Sequence, residues 1–357
     1  MGYDAGRIST GGSAKQLVAF AMNLTLVGRR FMSITRSWIF VGPNGVRAGW
    51  RFVCFVAVWL LLDHLKNLLV WDHLLRYKNH PLWHPLDFLV WDGPELAVTL
   101  VTAFLMMTLV ERRHWPYRNY GLGLQAKSLS HFLEGLICGF LTPTILILLL
   151  YFASAVSFDG LALSGTLLVQ FAIVWLLAMV LDGLHDQFLF RGYPLFTLAT
   201  GIGFWPASIL LSVFGGLLSY LLNRTATFVH LLSDTLIFLF FCLSFRRMGS
   251  LWFAVGFHAM FDFNALVLYG SPSIGNGGKS VYGHLLNLRF HGSPWLTGGQ
   301  GGIEGSILVL PLLGVLFLIF DRLHREDVSM PEHLWRTQPV SLAPDPFYSP
   351  ENGKFVS

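Results

Sequence analysis

The sequence predicts an all-α polytopic membrane protein with about eight spanning helices, and three observations carry the prediction. Charged residues make up only 12% of the 357 residues, about half the ~25% usual for a soluble domain. Hydrophobic residues reach 54%, with 31 Phe and 12 Trp. Finally, residues 135–158, 160–181 and 192–223 contain no Asp, Glu, Lys or Arg, and a spanning helix needs about 20 mostly apolar residues. A soluble enzyme of this size would lack the charge to cover its surface.

The elements follow in chain order. Residues 1–49 form a cytoplasmic N-terminal segment. Within it, Leu17–Val27 follows Lys15, is broken by Asn23 and Thr25, and ends at Arg29–Arg30. That pattern lacks a small-residue cleavage site and suits an amphipathic helix lying on the membrane surface. The transmembrane domain covers 50–320, with spans at 50–70, 94–110, 132–155, 164–183, 203–222, 228–245, 250–269 and 303–320. Pro143, inside the third, is a tolerated kink. Residues 270–302, rich in Gly and Ser, form the longest extramembrane loop. The tail, 321–357, carries Pro331, Pro339, Pro344, Pro346 and Pro350 and reads as disordered and cytoplasmic.

Placing both termini in the cytoplasm puts 18 Lys and Arg inside and six outside, the bias that orients membrane proteins. Cys54, Cys138 and Cys242 all sit in apolar stretches, which excludes a disulfide framework and a Cys-rich zinc site. No basic face suggests nucleic acid. No paired Gly/Pro-broken helices in matching halves suggest a transporter.

Ionisable groups inside spans cost several kcal/mol and mark functional candidates. The fourth span ends in Leu-Asp-Gly-Leu-His-Asp-Gln-Phe-Leu-Phe-Arg-Gly, residues 181–192. Its Asp182, His185 and Asp186 are three and four apart and share one helical face. Gln187 and Arg191, also four apart, share the adjacent face, where the amide can brace the guanidinium. In the seventh span His258 and Asp262 are again four apart. Such carboxylate–imidazole sets serve either as a satisfied polar network or as a site that binds a transition metal or activates water. Asp63, His64, Lys66, Glu134, His230 and Asp234 lie toward span ends and are expected in structural or interfacial roles.

Three of these segments resemble the motifs of one family. Asp-Gln-Phe-Leu-Phe-Arg-Gly-Tyr, 186–193, is similar to the Glu-Glu-x-x-x-Arg motif of the CAAX-protease and bacteriocin-processing (CPBP) intramembrane proteases. Gly-Leu-Leu-Ser-Tyr-Leu-Leu-Asn, 216–223, occupies the place of their Phe-x-x-x-His motif. Arg-Arg-Met-Gly-Ser-Leu-Trp-Phe-Ala-Val-Gly-Phe-His-Ala-Met-Phe-Asp, 246–262, resembles the last motif, His-x-x-x-Asn/Asp, with its lead-in. The resemblance covers about 50–268, with a CPBP-like core at about 117–269.

It implies a site made of Asp186, Gln187, Arg191, Tyr220, His258 and Asp262. In that site Asp186 acts as base or ligand, His258 and Asp262 support metal or oxyanion, and Arg191 braces the motif helix. Asp186 stands where the family has the first Glu and Gln187 where it has the second. Tyr220 takes the place of the middle His, with Ser219 as its neighbour one position away. His185 and Asp182 could add ligands, so the expected metal set is His258, Asp262, Asp186 and His185, with zinc as the expected ion. The implied function is an intramembrane endopeptidase whose activated water hydrolyses a peptide bond. The alternative is a silent family member that binds a membrane peptide or partner. Expected partners are membrane lipid and a peptide or protein substrate in the membrane, and the expected home is a bacterial inner membrane.

Overall fold

The computed structural model describes residues 41–42, 45–74, 82–110, 120–124, 126–325, 348–349 and 354–355. The expected surface helix at 17–27 and most of the expected disordered tail lie outside the described residues. The chain divides into two compact units, 1–50 with 339–357, and 51–338. In the first, β1 (Val41–Gly42) pairs antiparallel with β2 (Gly45–Val46), and the two strands at the far end of the chain, Tyr348–Ser349 and Lys354–Phe355, also pair.

The second unit is built of helices, as apolar runs without charge dictate. α1 spans Ala48–Leu74 and α2 spans Trp83–Leu105, continued by a π-helical turn at Met106–Val110. α3 is Ser128–Phe152 and α4 is Gly165–Arg191. α5 (Tyr193–Ile202), α6 (Phe204–Leu222) and α7 (Phe228–Met248) follow. α8 (Trp252–Asp262) runs on as a π-helix over Phe263–Leu268. After the short α9 (Pro294–Thr297), α10 covers Val309–Leu323. Among the described residues, six stretches are long and apolar enough to cross a membrane, and the expected spans at 250–269 and 303–320 hold the shorter helices Trp252–Leu268 and Val309–Leu323. The protein is an integral membrane protein of the all-α class.

Two departures from the expected boundaries matter. α4 has 27 residues, about 40 Å at 1.5 Å per residue. The helix therefore runs past the expected span end at 183, and the 182–191 run forms its last turns. The 270–302 segment also holds structure of its own, because β3 (Val156–Leu161) pairs antiparallel with β4 (Leu286–Phe290).

Small residues let the central helices approach closely. A Cβ added at Gly135 or Gly139 of α3 would collide with the backbone carbonyls of Phe253 and Phe257 on α8, and one at Gly256 would strike Phe132 on α3. This is the small-residue packing that membrane helices rely on, since lipid supplies no hydrophobic drive between them. On its other side α8 meets α4 at Gly183, where an added Cβ would lie 3.1 Å from the Val255 carbonyl. Asn264, fully buried in the π-turn, donates from Nδ2 to the Phe140 carbonyl at 2.6 Å and to Thr144 Oγ1 at 2.8 Å. α8 is thereby wedged between α3 and α4 with its rotation fixed.

Candidate active site

The wedge brings the two polar motifs together. His258 Nε2 lies 3.0 Å from Asp262 Oδ2 on its own helix and 3.6 Å from Asp182 Oδ2 on α4. Its other ring nitrogen, Nδ1, is 3.0 Å from the carboxamide of Gln187. Both sides of the imidazole are therefore held, one by an acid and one by a buried amide, and the ring lies parallel to Phe241 at 6.2 Å. One turn along α4, His185 Nδ1 is 3.6 Å from Asp186 Oδ1 and 3.7 Å from Glu95 Oε2 on α2.

Arg191 is 1% exposed. Its Nη2 donates to the Phe238 carbonyl at 3.1 Å, and its guanidinium lies 4.9 Å from the rings of both Phe238 and Phe241. Those stacked contacts replace part of the lost hydration and fasten α4 to α7.

A cavity of about 300 Å³ opens against this cluster. Asp182, Asp186, His258 and Asp262 line it, together with Ser219 and Asn223 of α6, Asp234 of α7 and Glu304 ahead of α10. No Lys or Arg is among the lining residues. Glu304 lies in a 3₁₀ turn, Ile303–Gly305, outside the spanning helices. Burial, with Asp262 and Asp234 beside it, holds its carboxyl well above the usual carboxylate range; so disposed, it can donate a hydrogen bond.

His230 fixes that turn in place. Its Nδ1 accepts from the Thr227 backbone N–H at 3.0 Å, closing a capping box at the start of α7. The proton then sits on Nε2, which donates to the Gly301 carbonyl at 3.1 Å. Ser233 Oγ donates to the Glu304 carbonyl at 3.0 Å.

Four of the residues expected from the sequence, Asp186, Gln187, His258 and Asp262, thus meet at or directly behind one cavity, joined by Asp182. Arg191 stands behind Phe238 and Phe241. His185 faces Asp186 and Glu95. Tyr220 is 36% exposed and is not among the lining residues, whereas Ser219 lines the cavity and hydrogen-bonds Asp234.

Asp92, Glu95, Asp234 and Glu304 were not anticipated as site residues. The first two are three apart in Trp-Asp-Gly-Pro-Glu, 91–95, the pattern of one helical face. Glu304 is the lone acid of Gly-Gly-Ile-Glu-Gly. Lys66 is 7% exposed, bonded to Asp63 and Glu95 at 2.8 Å each, so its charge is spent inside the bundle and not at an interface.

The donor set suits a divalent metal. Asp182, His258 and Asp262 bring one ligand atom each within 4.8 Å of one another, and so do Asp182, His185 and Asp186. Ligand atoms on a zinc tetrahedron with bonds of ~2.0–2.1 Å stand roughly 3.3 Å apart, close to the 3.0 and 3.6 Å found around His258. Mixed imidazole and carboxylate donors are the usual ligands of catalytic zinc.

No curated protein matches the chain. Residues 168–264 do match a family model, that of the type II CAAX prenyl endopeptidase Rce1-like proteins. The matched segment starts in α4 and stops two residues beyond Asp262, so it carries every motif that meets at the cavity. Residues 168–264 thus carry an Rce1-like (CPBP-family) domain.

Proposed function

We propose that the chain is an active intramembrane endopeptidase of the CAAX prenyl protease type, hydrolysing a peptide bond in a substrate presented from the bilayer. One observation carries the reading: α4 and α8 set His258 between Asp182 and Asp262 at the wall of a polar cavity that also holds Asp186. Peptide hydrolysis in a membrane needs such a recess, because water must reach the scissile carbonyl without exposing charge to lipid.

In this mechanism Asp186 takes a proton from the attacking water as its oxygen bonds to the carbonyl carbon. The same carboxyl returns that proton to the departing amine when the C–N bond breaks. His258, oriented by the Asp262 carboxylate, meets the negative charge that develops on the carbonyl oxygen. Gln187 keeps the His258 ring in plane, and Arg191 keeps the motif turn of α4 in place. Zinc, held by His258, Asp262 and Asp182, would polarise the carbonyl and lower the pKa of the attacking water.

The substrate fitting this reading is a prenylated C-terminal peptide or another membrane-borne peptide. The host membrane is a bacterial inner membrane with both termini cytoplasmic.

The test is cleavage of internally quenched, prenylated peptides by the protein in proteoliposomes. Wild type should cleave. His258→Ala and Asp186→Ala should each lose about 10²–10⁴-fold in rate, the usual worth of a general acid or base, with membrane insertion and yield unchanged. Peptides that bind wild type tightly yet stay intact would overturn the enzyme reading in favour of a silent peptide-binding protein.

A further inference from the structure

Polar side chains of α1, α2 and α4 form a row that ends at Asp186. Asn67 Nδ2 donates to Asp63 Oδ2 at 3.1 Å, and Lys66 Nζ lies 2.8 Å from both Asp63 and Glu95. Glu95 Oε2 is 3.7 Å from His185 Nδ1, which is 3.6 Å from Asp186 Oδ1. Of these residues only Asp186 lines the cavity. α1 and α2 also lie outside the segment that matches the family model. We propose that the row carries a file of bound waters, a second entry that supplies Asp186 with hydrolytic water while substrate fills the cavity. This rests on Asp186 acting as the base of the proposed function and extends that reading to the source of its water.

Each of the three helices holds a buried polar atom that no protein group satisfies. They are Asn67 Oδ1 on α1, Asp92 Oδ2 on α2 and His185 Nε2 on α4. Asp92 is 9% exposed and His185 4%. Asp92 stands one turn before Glu95 and within electrostatic reach of Lys66 and Asp186. Nearly all buried polar atoms in folded proteins are paired. Where protein groups do not pair them, bound water does, each molecule making about three hydrogen bonds. His230 shows the other solution, since both of its ring nitrogens are held by protein groups.

The gaps in the row also suit water. His185 Nδ1 is too far from Asp186 and from Glu95 for a direct hydrogen bond, and at such separations a bridging water serves nearly as well. At the other end, Asp63 and Asn67 are half-buried, and Asn67 is about two turns from the end of α1 at Leu74. The row thus leads from the flank of the bundle to the back of Asp186.

The chemistry gives such an entry its purpose. A peptide seated in the cavity of about 300 Å³ displaces the water held there. Hydrolysis nonetheless consumes one water for each bond broken, and that water has to reach Asp186 from a side that substrate leaves open.

The experiment generates hydroxyl radicals in place with an X-ray pulse, on the full-length protein in lipid nanodiscs, and locates oxidised side chains by mass spectrometry. Radicals formed from bound water attack the nearest side chain. In wild type His185 should be oxidised several-fold more than His230, an imidazole just as buried but satisfied by protein. In Asn67→Leu and in Asp92→Leu the oxidation of His185 should fall to the level of His230. Each Leu variant should also lower kcat for peptide cleavage about tenfold, what one lost hydrogen bond is worth, with KM unchanged. Asp92→Asn and Asn67→Asp keep polar oxygens in the row and should recover most of the rate. That split between kcat and KM, with recovery by the polar variants, is not what a loosened fold produces.

His185 oxidised no more than His230 in wild type would overturn the proposal. Leu variants that leave both the oxidation of His185 and kcat at wild-type values would overturn it as well. Size-exclusion profiles matching wild type show that the variants have folded. Oxidation of His185 without any peptide cleavage would sink the peptidase reading alone, and cleavage with His185 as protected as His230 would sink the water file alone.

Discussion

Gln187 shows how much a single neutral residue can govern. It is fully buried on the face next to Asp186, and its carboxamide sits 3.0 Å from His258 Nδ1. As placed, the amide nitrogen donates to Nδ1; a metal at Nε2 would put the ring proton on Nδ1, and the amide would turn its oxygen to accept it. Removing such a partner typically costs 10–100-fold in metal affinity or activity. Gln187→Ala should therefore weaken zinc binding by about that factor, read by chelator competition, while Gln187→Glu restores an acceptor at the same position. Tyr220 gives the opposite expectation. Because it lies outside the cavity lining, Tyr220→Phe should leave cleavage within about twofold of wild type, whereas Ser219→Ala should lower it. The motif alignment pointed at Tyr220 because spacing along a chain cannot say which of two adjacent helical residues faces inward, and only the packing of α6 against α7 decides that.

At the scale of elements, the site depends on how tightly α8 can press against α3. Gly135 and Gly139 are four apart, one turn of α3, and both abut α8 backbone. Gly139→Leu should separate the helices, shift His258 and Asp262 away from Asp182, and lower the apparent melting temperature followed by size-exclusion chromatography. Overpacking of this kind costs about 1–3 kcal/mol or more. A variant with wild-type melting and wild-type metal content would refute the dependence. The loop ahead of α10 offers a second case, since an added Cβ at Gly301 or Gly305 would run into the His230 ring.

Most of this architecture is legible in the sequence. Charge-free runs locate the spans, and i, i+3, i+4 spacing places Asp182, His185 and Asp186 on one face. The Gly-x-x-x-Gly at 135–139 is legible too, as a packing signal that composition alone does not rank. The arrival of Glu304 and Asp234 at the cavity is not legible. It follows from His230 gripping a Gly-rich turn 71 positions away, a contact that no periodicity encodes.

For the whole molecule, the question is which side of the membrane the cavity faces. By the excess of Lys and Arg, the termini and the 111–127 connection are expected in the cytoplasm. Five spans later, the same alternation puts the 270–302 segment on the opposite side. Ser273, Ile274 and Gly275 of that segment line the cavity, as does Glu304 just beyond it. The orientation rule thus predicts that the chain wall over the site lies on the non-cytoplasmic side, with α4 carrying Arg191 toward the cytoplasm.

Two exposed positions distinguish the outcomes, Lys279 in the outer segment and Lys127 before α3. In a background lacking Cys54, Cys138 and Cys242, Lys279→Cys should react with a membrane-impermeant maleimide in intact cells. Lys127→Cys should react only after the membrane is opened. The reverse pattern would turn the molecule over and present the same wall to the cytoplasm, where a substrate with a cytoplasmic C-terminus would meet it first. With 18 basic residues set against six, no single charge reversal should flip the labelling. A variant moving several of the Lys and Arg between 111 and 127 should.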